Sequence, residues 1–165
     1  MNFDKPVVVI YNPNSGKKTN LVPNIEARLN KAGIKFEMMP TKKACDPYLY
    51  ALEIDIEKYS VIVVAGGDGT IHEVVNGVLA RRDGKKIPIC AVPNGSGDDF
   101  CSSIGVKSVP DALDYLEKGL VIKLDTVRCM LDIDDEVSVP QGLERLQFCR
   151  HMIVNSCFSM PCKIT

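Results

Sequence analysis

Three short apolar runs, each followed by a loop rich in glycine, constrain the fold of this chain more than any other feature of its sequence. The runs span residues 7–11, 61–65 and 87–92, and the loops span residues 12–17, 66–70 and 93–97. Uninterrupted runs of β-branched residues are typical of strands that are covered on both faces of a parallel sheet. The sequence therefore predicts three buried strands that each end in a tight turn.

Apolar residues at helical spacing occupy the segments between these strands. The pattern at residues 21–32 predicts a first helix that ends at Gly33, and residues 34–39 predict a further strand. Asp46 followed by Pro47 predicts the start of a second helix, with Asp46 as its N-cap and proline at the first helical position.

Two more helices follow the second and third loops. In the helix after the second loop, Thr70 and Glu73 have the spacing of a capping box. The apolar stripe of this helix leaves His72 and Asn76 on another face, which we expect to be exposed. Ser108 predicts the N-cap of the last helix.

Strand and helix alternate four times along the first three quarters of the sequence. This alternation predicts an α/β fold with a mainly parallel sheet, right-handed crossovers and helices on both faces, but it leaves the strand order open. After residues 121–127 the pattern changes to an acidic loop at 132–136 and a strand-like segment at 147–158. We interpret the chain as an α/β domain at 1–127 and the start of a truncated β-rich domain at 128–165.

Charge and cysteine content exclude several classes of function. A net charge of −1 gives no broad positive field, so a nucleic-acid partner is not expected. Seven cysteines without a C-x-x-C pair indicate reduced thiols, and neither a signal peptide nor an apolar run of about 20 residues is present, which predicts a cytoplasmic protein. A small basic turn could contact anionic lipid at a membrane surface or could simply be solvated; it comprises Arg81, Arg82, Lys85 and Lys86.

The three loops carry the candidate functional residues. Each follows the carboxyl end of a predicted strand, and ligands bind at that edge of an open α/β sheet. Glycine lets main-chain N–H groups approach phosphate oxygens, and the following helix adds the positive end of its dipole. We therefore expect a polyphosphate ligand, with Asn12 contacting the nucleotide and Ser15, Gly16 and Lys17 contacting its phosphates.

Asp68 is the one candidate catalytic residue. A negative charge among these glycines would repel a bare phosphate, so Asp68 predicts a contact to Mg²⁺, direct or through water, or an acceptor that positions another group near the phosphates. Structural alternatives remain open: the glycines make only tight turns, Asp68 only caps a helix, Glu73 only completes a capping box and Lys17 is a solvated surface charge. The P-loop, dinucleotide and zinc-protease motifs are each broken in this sequence.

Taken in order, segments 12–17, 66–77 and 93–100 resemble the motifs of lipid kinases of the diacylglycerol kinase type, which include sphingosine and ceramide kinases. The second segment reads GGDGTIHEVVNG and the third reads PNGSGDDF. A Gly-Asp-Gly loop alone is not specific, because NAD kinases carry similar loops, whereas the three segments in this order are specific. The resemblance covers about residues 7–127 and implies a nucleotide-binding domain like those of NAD kinases and diacylglycerol kinases.

The resemblance also implies ATP and Mg²⁺ as cofactors. The implied phosphoryl acceptor is a lipid hydroxyl at a membrane surface, most simply that of diacylglycerol, which would become phosphatidic acid. The ATP site that it implies consists of Asn12, Ser15, Gly16, Lys17, Gly66, Gly67, Asp68, Gly69, Thr70, Glu73, Asn94, Gly95 and Ser96.

Two features depart from the family pattern. Asp98 stands where such kinases usually have asparagine, which adds negative charge near the phosphates. In such kinases the chain continues into a β-sandwich that closes the cleft and carries the general base, whereas this chain ends at Thr165. We therefore expect the chain alone to bind nucleotide weakly and to turn over little or nothing.

Two other functions are compatible with the sequence. An NAD kinase shares the second loop and would differ in the third motif. A non-catalytic nucleotide-binding regulatory module would fit Asp98 and the early end of the chain. The sequence does not indicate the oligomeric state, and a homodimer is compatible with it.

Overall fold

The computed structural model of the chain describes residues 3–16, 20–130 and 149–153. The strands are Val7–Tyr11 (β1), Phe36–Pro40 (β2), Ile62–Gly66 (β3), Ile89–Pro93 (β4), Val127–Met130 (β5) and Cys149–Met152 (β6). The helices are Leu21–Lys31 (α1), Asp46–Glu53 (α2), Asp68–Leu79 (α3), Asp99–Ser103 (α4) and Val109–Glu117 (α5). The chain divides into two compact units, with the boundary between Leu124 and Asp125.

The first unit is built on a four-stranded sheet in the order β2-β1-β3-β4. All three pairings are parallel, and the register places Val9 of β1 beside Met38 of β2 and Val63 of β3. The two central strands form the core, since Val9 and Val63 are fully buried. The expectation of an α/β fold with a mainly parallel sheet is confirmed, and the apolar runs are continuous because these strands are covered on both faces.

Helices cover both faces of this sheet. The chain moves from β1 outward to β2 and then back across β1 to β3, so right-handed crossovers place α1 on one face and α2 and α3 on the other. Arg28 of α1 forms ion pairs with Asp114 and Glu117 of α5, which joins the two helices of the first face.

The start of α2 differs from the prediction. Asp46 is the first helical residue rather than the N-cap, and Cys45 occupies the N-cap position with a φ of 66°. The Asp46 carboxylate accepts hydrogen bonds from the backbone N–H groups of Lys42 and Lys43, at 2.8 and 3.0 Å. Because this carboxylate is used to close the preceding turn, α2 begins one residue earlier than predicted.

The prediction that Ser108 is the N-cap of the last helix, α5, is confirmed, since its hydroxyl accepts from the backbone N–H of Asp111 at 3.2 Å.

Close packing of α2 against α3 also corrects one expected exposure. Asn76 is buried rather than exposed, and its Nδ2 donates to the His72 carbonyl oxygen at 2.9 Å. A Cβ added to Gly77 would lie 2.3 Å from the carbonyl oxygen of Tyr48 on α2. The polar side of α3 is therefore partly covered by a second helix, which the apolar stripe alone did not predict.

The described residues of the second unit form an antiparallel pair of strands, β5 and β6, with Arg128 opposite His151. The predicted acidic loop at 132–136 and most of the segment 147–158 lie outside the described residues. In the part of the chain that the structure describes, no helix is long and apolar enough to cross a lipid bilayer.

Candidate active site

The three glycine-bearing loops meet at the carboxyl edge of the sheet. We define the first loop as residues 12–16, the second as 66–70 and the third as 93–98. The backbone N–H of Asn12 donates to Ala65 at 3.2 Å, and that of Asn94 donates to Gly66 at 3.2 Å. These bonds extend the ladders of β1, β3 and β4 into the loops, so the sheet itself fixes where the loops begin.

Asn94 joins the third loop to the first. Its Nδ2 donates to the backbone oxygen of Ser15 at 3.0 Å and to the Ser15 hydroxyl at 3.1 Å. Ser15 in turn bonds back to Asn12, because its hydroxyl donates to the Asn12 carbonyl oxygen at 3.0 Å. Gly16 has a φ of 77°, and a Cβ at this position would lie 2.6 Å from the Asn94 carbonyl oxygen. Only glycine fits this contact between loops without a shift of backbone.

The second and third loops pack backbone against backbone. A Cβ added to Gly95 would lie 2.6 Å from the Cα of Gly67. A Cβ added to Gly66 would lie 2.7 Å from the Thr70 hydroxyl oxygen, so the Thr70 side chain covers this residue. Gly69 differs from these positions, because a Cβ there would meet no atom of the described residues within 4 Å. The glycines at the junction therefore have a packing role, whereas Gly69 has none among the residues that the structure describes.

Helix α3 begins directly from the second loop. Gly67 is its N-cap in extended conformation, and the Gly67 carbonyl oxygen accepts from the N–H groups of Thr70 and Ile71, at 2.9 and 3.2 Å. The capping-box prediction for Thr70 and Glu73 is wrong, because Thr70 is the third residue of the helix and not its cap. The first N–H groups of such a helix have no acceptor within the helix and can serve an anion.

Asp68 caps a helix that the sequence did not predict. Its Oδ1 accepts from the Phe100 N–H at 2.9 Å and its Oδ2 accepts from the Asp99 N–H at 3.1 Å. Both donors belong to the first turn of α4, while Asp68 itself is the first residue of α3. One carboxylate therefore fixes two helices relative to each other beside the loops.

Asp98 is the functional candidate that sequence reasoning left without a structural role. It has a φ of 54°, and its Oδ1 accepts from the Gly95 N–H at 2.7 Å. Together with Asp68 and the exposed Asp99 it gives this edge a negative character. Among the described residues no three side chains of the metal-binding types converge on one point. The oxygen donors present suit Mg²⁺ bound through one or two carboxylates together with substrate phosphates.

The same carboxylates affect a buried thiol. Burial, and then the charges of Asp98 and Asp68, raise the pKa of Cys101 to about 12. Burial also raises the pKa of Cys90 to about 12. Since the thiolate is the nucleophile, neither cysteine can act as one near neutral pH.

The remaining candidates occupy varied positions. Ser96 is exposed on the third loop, and Glu73 is half-buried on α3. Lys17 lies outside the described residues.

Helix α4 was not predicted from the sequence because five residues are too few for a periodic pattern. The consecutive acidic residues before Phe100 were the only signal that a helix could start there.

The diacylglycerol kinase catalytic domain profile matches residues 6–129, which is most of the chain. The chain belongs to this family. Two diacylglycerol kinases are similar in sequence: that of Staphylococcus carnosus is 33% identical over 120 residues and that of Staphylococcus aureus is 35% identical over 120 residues. Sphingosine kinase B of Dictyostelium discoideum is 30% identical over 142 residues.

The similarity to other members of the diacylglycerol kinase family extends to the fold. A crystal structure of a diacylglycerol kinase from Bacillus anthracis superposes with a TM-score of 0.64 at 28% identity, over 74% of this chain and 42% of that one. The alignments with the staphylococcal enzymes cover 71% of this chain, and 39% and 38% of those proteins. The alignment with sphingosine kinase B covers 83% of this chain and 18% of that protein. The chain thus spans about two fifths of the bacterial diacylglycerol kinases that it matches.

Proposed function

We propose that this chain forms the nucleotide-binding part of an ATP-dependent lipid kinase that phosphorylates a lipid hydroxyl, with diacylglycerol as the first candidate acceptor. The meeting of three glycine-bearing loops at one sheet edge is the observation that carries the proposal, and membership of the diacylglycerol kinase family supports it. Catalysis of phosphoryl transfer depends mainly on positioning and on stabilising charge, which a rigid cluster of backbone amides can supply.

The loops would hold the polyphosphate through their main chain. The amino end of α3 offers N–H groups and the positive end of the helix dipole, beginning at Gly67. Because a Cβ at Gly69 would meet none of the described residues within 4 Å, we expect the space beside Gly69 to be available to a ligand. Asn12, where the first loop leaves β1, and the exposed Ser96 of the third loop are proposed to contact the rest of the nucleotide. Lys17 and Glu73 are proposed contacts as well, on the strength of the family motifs.

Asn94 and Asp68 have proposed roles in positioning. Asn94 uses its amide to hold the first loop at Ser15, so it shapes the site through its neighbour. Asp68 orients α4 through its carboxylate, which retains lone pairs that could accept from water bound to a cation. Asp68, with Asp99 beside it, would hold Mg²⁺ together with the phosphates, and the ion would neutralise phosphate charge there.

We further propose that the general base for the acceptor hydroxyl comes from outside this chain's span. The chain covers only about two fifths of the diacylglycerol kinases that it matches. We therefore expect the 165-residue chain to bind ATP and to transfer phosphate slowly or not at all. A longer product of the same gene would carry the activity.

A radiolabelled transfer assay tests this proposal. The protein, and any longer gene product, is incubated with γ-labelled ATP and Mg²⁺ in detergent micelles that carry diacylglycerol, sphingosine or ceramide, with NAD⁺ as a soluble acceptor in a separate arm. We expect the longer gene product to label a lipid and the 165-residue chain to label little or none. The label should disappear when the longer product carries Asp68→Asn and persist when it carries Asp55→Asn. Label only in NADP or inorganic phosphate, or nucleotide binding without any transfer by the longer product, would reject the lipid kinase function.

A further inference from the structure

Asp98 adopts a backbone conformation that is uncommon for its residue type. Among the described residues only Cys45 and Asp98 combine a side chain with a positive φ, and the φ and ψ of Asp98 are 54° and 36°. Aspartate and asparagine tolerate this left-handed region better than other residues with a Cβ. The conformation turns the Asp98 carboxylate back onto its own loop, where Oδ1 accepts from the Gly95 N–H at 2.7 Å.

The Gly95 amide lies at the junction between the second and third loops. Gly95 packs closely on Gly67: a Cβ added to Gly95 would lie 2.6 Å from the Cα of Gly67, and a Cβ added to Gly67 would lie 3.2 Å from the Cα of Gly95. A main-chain N–H at such a junction would otherwise be a donor for a phosphate oxygen. In this chain the donor already has a negatively charged acceptor, supplied by Asp98.

Among the described residues of the three loops, which do not include Lys17, no positive charge compensates for Asp98. The described residues of the three loops include two acidic side chains, Asp68 and Asp98, and no lysine or arginine. The carboxylate of Asp68 is directed at the backbone N–H groups of α4, and that of Asp99, the next residue after the third loop, is exposed. Asp98 is therefore the acidic residue here whose carboxylate competes directly for a loop amide.

We propose that Asp98 acts as an internal anion that weakens the binding of metal-free polyphosphate, so that the site preferentially binds the nucleotide as its complex with a divalent cation. This inference rests on the proposed function. A free polyphosphate meets both the repulsion of the carboxylate and the loss of the Gly95 donor. A bound divalent cation offsets part of the phosphate charge, so the complex meets less repulsion.

The substitution Asp98→Asn removes the negative charge of residue 98 without removing its hydrogen bond to Gly95. Asparagine retains the Oδ1 acceptor for Gly95 and tolerates the left-handed conformation, so the loop geometry is kept. Asp98→Gly keeps the backbone conformation and also frees the Gly95 N–H. The control Asp55→Asn makes the same change of net charge at an Asp that accepts from the Glu57 N–H at 3.0 Å. Asp55 precedes β3 and lies away from its carboxyl end.

Calorimetric titration with ATP, once in EDTA and once with excess Mg²⁺, measures the effect. We expect Asp98→Asn to bind metal-free ATP about three- to tenfold more tightly than the wild type, and Asp98→Gly at least as tightly as Asp98→Asn. The affinity for ATP with Mg²⁺ should change by less than about twofold. The ratio of the affinity for ATP with Mg²⁺ to that for metal-free ATP should therefore fall. Thermal unfolding of each variant verifies that the fold is kept.

The outcomes separate this inference from the proposed function. If the wild type binds ATP with Mg²⁺ but Asp98→Asn gains no affinity for metal-free ATP, the role of Asp98 is rejected and the proposed function stands. An equal gain in Asp55→Asn would also reject it, since the effect would then follow net charge alone. If the wild type binds ATP in neither condition, the proposed nucleotide site fails and the role of Asp98 fails with it.

Discussion

The side-chain amide of Asn94 donates to both the backbone oxygen and the hydroxyl of Ser15, at 3.0 and 3.1 Å. These two residues are 79 positions apart in the chain, yet they hold the third loop against the first. The pair shows that the edge of the sheet is built as one assembly of loops rather than as independent turns.

Removal of the Asn94 amide should loosen the first loop. We expect Asn94→Ala to lower the free energy of unfolding by about 1–3 kcal/mol, because polar atoms of Ser15 lose their partner. The same variant should weaken ATP binding, since the first loop is no longer held. Urea unfolding measures the free energy of unfolding, and calorimetric titration measures the affinity for ATP. Asn14→Ala, an exposed position in the same loop, should change stability by less than about 0.5 kcal/mol. Equal effects of the two substitutions would contradict the bracing role of Asn94.

Substitution of Asp68 should unfold the start of α4 locally. Asn at this position keeps one oxygen acceptor but presents an NH₂ group to the second backbone N–H, so either Asp99 or Phe100 loses its acceptor. We expect faster hydrogen exchange at these two amides in Asp68→Asn and a loss of about 1–3 kcal/mol of stability. Unchanged exchange at both amides would show that the carboxylate does not cap α4.

Two glycines of the same helix should respond in opposite ways to alanine. Gly77→Ala places a methyl group against the Tyr48 carbonyl oxygen, so we expect a loss of about 1–3 kcal/mol from overpacking of α2 on α3. The new methyl group of Gly69→Ala meets no atom of the described part of the chain, so this substitution should leave stability unchanged or raise it by about 0.5–1 kcal/mol. Thermal or urea unfolding of the pair tests the packing.

Nucleotide titration of the same pair then tests the site. Because the new methyl group of Gly69→Ala has no contact with the residues that the structure describes, a loss of ATP affinity in a fully folded variant reports contact with the ligand. We expect such a loss. Undiminished affinity in Gly69→Ala would place the phosphates away from the start of α3.

Stability should fall at alkaline pH. Burial raises the pKa values of Cys90 and Cys101 to about 12, above the ordinary thiol value of about 9 that the unfolded chain would show. The folded state therefore binds more protons between pH 9 and 12. The stabilisation is complete below about pH 9 and is lost as the pH rises towards 12. Urea unfolding at pH 7.5, 9 and 10 measures the slope, which should be shallower in Cys101→Ala; identical slopes would contradict burial of the Cys101 thiol.

The two central strands of the sheet could be predicted from the sequence because each is a continuous apolar run. Val9 and Val63 lie in continuous apolar runs, and burial on both faces leaves no polar alternation to confuse strand with loop. The order of the strands could not be predicted, because apolar runs carry no information about which strand lies beside which. The burial of Asn76 was missed for a related reason: the periodicity of α3 describes its contact with the sheet and not its contact with α2.

The sequence predicted that the three loops lie at one edge of the sheet, and the structure confirms this, but the contacts between the loops were not predicted. The glycines were expected to let the backbone approach phosphate oxygens, whereas at Gly16 and Gly95 the structure shows close approaches between loops. The partners of Asn94 and Asp68 could not be predicted, because each lies on a loop that is distant in sequence. The capping box at Thr70 was wrong because Gly67 begins the helix earlier, and a glycine N-cap leaves no side-chain signature.

Backbone amide spectra of ¹⁵N-labelled protein, recorded during titration with ATP and Mg²⁺, show whether all three loops hold the polyphosphate. We expect the largest chemical-shift changes at Gly16, Gly69, Gly95 and Ser96, which represent all three loops, while the amide signals of residues at the amino end of the sheet stay unchanged. Shifts confined to one loop, or concentrated elsewhere in the molecule, would contradict a polyphosphate held jointly by the three loops.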